Sequence, residues 1–90
     1  MTHTLKTWPE YFEAVSKGDK TFEVRRFDRP FKVGDKLILQ EWDNEKEQYT
    51  GREHTVIITY ILHGDVKFGL SPDFCVMGIL LVDSNRRVKG

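Results

Sequence analysis

At Gly18 the chain changes its hydrophobic period and does not change back. Before it, Trp8, Phe12 and Val15 recur at i, i+4 and i+7, which puts three apolar side chains on one face of a helix. After it, from Thr21, the period is two: Phe22 and Val24 alternate with Thr21, Glu23 and Arg25, as the two faces of a strand require. A chain built this way folds as one early helix followed by strands. Thr7 is placed to cap the helix, Pro9 to occupy its first turn, and Glu10 and Glu13 to lie near its positive end. The expected helix runs over about residues 9–17, and Gly18 closes it as a left-handed cap with positive φ.

The remaining strands follow from turns and periodicity. Asp28-Arg29-Pro30 and Val33-Gly34-Asp35 read as turns, and residues 36–42 as a strand with Leu37 and Leu39 on one face. Residues 43–48 are polar and read as a hairpin or short loop. Residues 49–52 lead into a long strand over 53–62, ended by His63-Gly64-Asp65. Both faces of 56–62 are apolar or aromatic, as expected where a strand crosses into a closed barrel. A loop at 69–73 precedes a last strand over 74–82. The fold class is mainly β (α+β), a small β-barrel with one N-terminal helix plugging an end. Residues 1–83 form the domain and 84–90 a flexible C-terminal tail.

Ninety residues suit one domain with a modest core. Cys75 is the one cysteine, so no disulfide supports the fold; between Phe74 and Val76 it reads as a small buried hydrophobe in a reducing compartment. The first residues lack the apolar stretch of a signal peptide, and no run reaches the length of a membrane span, so a cytoplasmic location without membrane contact is expected. Formal net charge is zero, which argues against a coat for long nucleic-acid tracts. The charges are nevertheless blocked: residues 17–36 are rich in Lys and Arg, whereas Glu41, Asp43, Glu45, Glu47 and Glu53 make the next stretch acidic.

The chain has no Walker loop, no Gly-x-Ser-x-Gly elbow and no metal-ligand spacing among His3, His54, His63 and Cys75. No metal and no cofactor are expected, and His54 and His63 read as surface or strand-end residues. What remains is the corner from Lys17 to Arg26. Alternation predicts that Phe22 and Val24 are buried, while Glu23 and Arg25 line a solvent-connected cleft on the other face.

Gly18, Lys20, Glu23 and Arg25 spell G-x-K-x-x-E-x-R, the signature of the ASCH domains of the PUA-like superfamily. The chain resembles a small stand-alone bacterial and phage branch of that group, of unknown function. The resemblance runs through His3 to Phe12, Lys20 to Arg25, Asp28-Arg29, Val33-Gly34-Asp35, Tyr49 to Arg52, Thr59 to Leu62 and Val76 to Ile79. It implies a PUA-like barrel whose cleft takes RNA or a nucleotide-like ligand, with Lys6, Gly18, Lys20, Glu23, Arg25 and Arg29 as the binding residues. Lys20 and Arg25 would contact phosphate, and Glu23 would accept from a base amino group or hold Arg25. Trp8, Trp42 and Tyr60 are stacking candidates, with packing as the other reading, favoured for Trp8 and Tyr60. Some compact members resemble amidohydrolases that act on an acylated cytidine through a lysine and a threonine of this strand. Here Lys20 matches the lysine but Glu23 holds the threonine's place, so the reading leans to a non-enzymatic module. A protein-interaction domain is the third alternative.

Overall fold

The computed structural model describes residues 1–86, and its first element is a strand that periodicity did not announce. β1 (Thr2–Thr7) alternates strictly, with His3, Leu5 and Thr7 buried and Thr2, Thr4 and Lys6 exposed. Two of its three inward residues are polar, which disguises the pattern in the sequence. Because Thr7 completes this strand, it does not cap the helix. Trp8 holds the N-cap position without a side-chain cap bond, and Pro9 opens α1 (Pro9–Ser16). The helix closes as expected: Gly18 takes φ +80°, and the Gly18, Asp19 and Lys20 amides donate back to the carbonyls of Val15 and Ala14.

β2 (Phe22–Arg26), β3 (Lys36–Asp43), β4 (Gln48–Asp65) and β5 (Leu70–Arg86) complete one five-stranded sheet in the order β1-β3-β4-β5-β2. β1 runs parallel to β3, and the other pairings are antiparallel. The protein is therefore mainly β with one helix. β4 and β5 form a long hairpin joined by a short 3-10 turn, Val66–Phe68, and both strands outrun their expected ends. Residues 84–86, expected in the tail, are the end of β5; the tail beyond them lies outside the described residues.

Leu5, Leu37, Leu39, Val56, Ile58, Cys75, Met77 and Ile79 form the inner face, and Phe31 and the α1 residue Val15 pack on it. Phe12 of α1 lies flat on the His54 ring, with centroids 3.9 Å apart. His54 is thus core, only 1% exposed, not a surface residue. Trp8 and Tyr60, for which packing was the favoured reading, are both exposed.

The expected faces of β2 are reversed. Phe22 and Val24 are 44% and 47% exposed, whereas Glu23 is 3% exposed and Arg25 half-buried. Register shows why: Glu23 and Arg25 sit opposite Met77 and Cys75, the inward residues of β5, while Phe22 and Val24 sit opposite Gly78 and Val76. Alternation fixes which residues share a face but not which face looks inward.

The ladder does not close this sheet into a barrel: β1 and β2 are its two edges. Side chains cross between them instead. Arg25 donates from Nη2 to the Lys6 carbonyl at 2.9 Å, and Arg29 donates to the Thr4 carbonyl at 3.4 Å. Residues 4 and 6 share a parity, so these carbonyls point away from β3 toward the free edge of β1.

Candidate functional site at the seam between the edge strands

The left-handed turn at Gly18 swings the chain from α1 into β2 and sets Lys20 at the corner. From there the Lys20 ammonium reaches Glu23 Oε2 at 2.7 Å and the Phe22 carbonyl at 2.6 Å. Arg25 Nε donates to the other carboxylate oxygen, Oε1, at 3.0 Å. One buried carboxylate thus holds two cations, whose side chains are 15% and 26% exposed. Arg25 Nη2 also approaches the Thr7 hydroxyl at 3.4 Å, which ties the motif to β1.

Thr7 pairs in register with Glu41, a second buried carboxylate. Glu41 sits where the β3–β4 register shifts, accepts from the Thr50 hydroxyl at 2.7 Å, and lies 3.5 Å from Arg52 Nη1. Arg52 Nη2 bonds Glu13 of α1 at 2.8 Å, and its guanidinium covers the Phe12 ring. That pairing holds the Glu13 carboxyl below its usual range. Beneath it the His54 Nδ1 is 2.9 Å from the Ser84 hydroxyl, while buried Nε2 has no hydrogen-bond partner among the described residues. Burial pushes the His54 pKa down, which favours the neutral ring.

Two aromatic pairs flank these charges. On the helix side Trp8 and Tyr11 stack with centroids 6.5 Å apart, and the Lys20 ammonium lies 5.9 Å from the Tyr11 ring. On the hairpin side Trp42 and Tyr49 meet edge to face at 4.9 Å, and the Lys6 ammonium sits 3.9 Å above Trp42. Trp8, Tyr11 and Tyr49 are all roughly half exposed.

Of the six expected binding residues, Lys20, Glu23 and Arg25 come together at the upper seam, and Lys6 joins them through its carbonyl while its ammonium lies over Trp42. Arg29 crosses the same seam lower down, also 3.5 Å from Asp28, and Gly18 shapes the corner. Among the stacking candidates, Trp8 and Trp42 flank the motif, but Tyr60 does not; it stands on the outward face opposite Gly78. Sequence reading missed Thr7, Tyr11, Glu41, Tyr49 and Arg52. A signal existed for Glu41, which continues the two-residue phase of Leu37 and Leu39, and for Thr7, which continues that of Leu5. A recess of about 310 Å³ opens at the far end of β2, lined by Arg26, Phe27, Asp28, His63, Pro72 and Asp73. The motif does not line it, so the candidate site is a seam strip and not that recess. Cys75 lies inside the sheet, and burial pushes its thiol pKa up, away from the reactive thiolate.

Residues 2–79 match the family model described as "Domain of unknown function (DUF3850)". The chain belongs to this family. The match takes in β1, α1, the whole Glu23 cluster and both aromatic pairs, so the seam lies within the DUF3850 unit. A curated relative, "Uncharacterized 12.9 kDa protein in GpA 3'region" of Escherichia phage P2, is 40% identical over 57 residues, 63% of this chain and 50% of the relative. The chain thus spans about half the length of the curated relative it matches. Among the described residues no helix is long and apolar enough to cross a membrane, and no group of His, Cys, Asp and Glu is placed to hold a metal ion.

Proposed function

We propose that this DUF3850 chain is a binding module for short single-stranded RNA or a nucleotide, gripped at the seam in the manner of an ASCH domain. The observation that carries the reading is the Glu23 carboxylate holding Lys20 and Arg25 in a strip flanked by two aromatic pairs. Cations fixed in advance lose little freedom when a phosphate arrives, and aromatic faces on either side suit unstacked bases. Zero net charge fits a short ligand whose phosphates meet a few local cations. The same geometry supports reading the sheet as a variant of the PUA-like barrel, sealed at β1 and β2 by Arg25 and Arg29 in place of a ladder. It gives the acyl-nucleoside hydrolase less support, because Lys20 is ion-paired to the glutamate that replaces the threonine.

The test is a titration of the chain with short single-stranded oligoribonucleotides and with nucleotides, followed by amide shifts and repeated at several salt concentrations. Shifts should cluster on Lys6, Trp8, Tyr11, Lys20 to Arg25, Trp42 and Tyr49. Lys20→Ala and Trp42→Ala should each weaken binding about tenfold to a hundredfold, and Lys20→Ala should also flatten the salt slope. Binding unchanged in both variants, or shifts elsewhere, overturns the proposal.

A further inference from the structure

The outward face of β2, β5 and β4 is apolar where it meets solvent. Register arranges it in cross-strand rows: Phe22, Gly78 and Tyr60 in one, Val24, Val76 and Leu62 in the next, with Leu80 opposite Ile57 beyond them. Phe22, Val24, Tyr60, Leu62 and Leu80 are between 38% and 67% exposed. The inner face of the same strands is Cys75, Met77, Ile79 and Ile58, so this part of the sheet is apolar on both sides. An antiparallel sheet ordinarily shows solvent a polar face, so a contiguous apolar outer face marks an interaction surface. Gly78 leaves room at the centre: a Cβ there would lie 2.8 Å from the Thr59 hydroxyl, which would have to move, where β4 shifts register across β5.

We propose that this face is covered by the same face of a second copy, making a two-fold dimer of two sheets packed face to face. Three observations select a second copy. The first is area: the exposed parts of those five residues come to about 480 Å² per copy, so a pair would bury up to about 950 Å², the size of a weak interface that forms and dissociates with concentration. The second is charge at the ends of the face. Arg26 stands at one end, loosely paired with Asp73 at 3.8 Å. Asp83 stands at the other, outward because its neighbour Ser84 turns inward to His54. A two-fold axis across the strands brings each Arg26 to the partner's Asp83 end and leaves the apolar rows facing one another. The third is net charge: the chain carries none, so no overall repulsion opposes association. Glu23 and Arg25 face the inner side of the sheet, and the apolar rows include none of Trp8, Tyr11, Trp42 and Tyr49, so the dimer does not depend on the RNA reading.

Analytical ultracentrifugation of the full chain over a range of concentrations tests this. The wild type should reach twice the monomer mass. Tyr60→Lys and Leu80→Lys should each weaken dimerisation at least about tenfold with an unchanged far-ultraviolet spectrum, since both side chains are exposed in the single chain. Arg26→Asp should weaken it too, and adding Asp83→Arg should restore it. That rescue ties the dimer to this face, and no unfolded variant can mimic it. A wild type that stays monomeric at every concentration overturns the proposal. So does a dimer indifferent to Tyr60→Lys and Leu80→Lys, and so does a face whose variants lose RNA binding while the chain is monomeric.

Discussion

A carboxylate whose side chain is 4% exposed has lost most of its water and must find charge or donors elsewhere. Glu23 finds Lys20 on one oxygen and Arg25 on the other. Removing a cation leaves it one partner, whereas removing Glu23 strands two half-buried cations against each other. Glu23→Ala should therefore lower stability by about 1–3 kcal/mol, and Lys20→Ala by clearly less. Urea unfolding of both variants measures the order, and equal costs would show that Glu23 does not organise the pair. The G-x-K-x-x-E-x-R spacing let the cluster be picked out in the sequence. Its direction was not legible, because burial of an ion-paired glutamate and arginine on an edge strand runs against the usual hydropathy of faces.

At the scale of elements, α1 is seated on polar groups as well as on the core. Phe12 stacks on His54, Arg52 covers Phe12 and bonds Glu13, and Glu41 faces the same guanidinium. Burial of His54 in this seat, with the Arg52 charge nearby, favours its neutral form. Burial lowers its folded pKa, so in acid the unfolded chain takes up the proton first and draws the equilibrium toward itself. Stability should be full above about pH 6.5, fall as the pH drops from there toward the depressed folded value, and level off below it. Asp35 acts in a separate window. Bonded by His3, its carboxyl is lowered from 3.8 to about 2, so its contribution is present above about pH 4 and lost as the pH falls through 2. Unfolding midpoints against pH in wild type and His54→Leu check the first window. The fall just below pH 6.5 should disappear in the variant, and a fall that persists would assign it to another group. The helix was readable from its period and from Gly18, and β3 from Leu37 and Leu39. β1 was not, since His3 and Thr7 hold inward places that the eye gives to apolar residues, and neither was His54, a buried histidine without a strand partner of its own kind.

The whole molecule is a sheet with a continuous ladder through β3, β4 and β5 and a seam where its edges meet. The long pairing of β4 with β5, and of β4 with β3, makes the middle of these strands the part expected to open last. β1 and β2 each hold one neighbour by backbone bonds and the other edge by side chains alone. Arg25 spans that gap, with Glu23 behind it and Lys6 and Thr7 ahead. A lysine there has one ammonium for three acceptors, so Arg25→Lys is not conservative at this position. Hydrogen exchange should show the consequence. Arg25→Lys and Arg25→Ala should raise exchange about tenfold or more at β1 and β2 amides paired with β3 and β5, a loss of about 1.4 kcal/mol in local opening. The amides of Val56 and Ile58, in the middle of the ladder, should keep their protection except for the shift in global stability. Equal acceleration in all five strands would mean that the seam and the ladder open together, and that Arg25 supports the core as a whole and not the join between its edges.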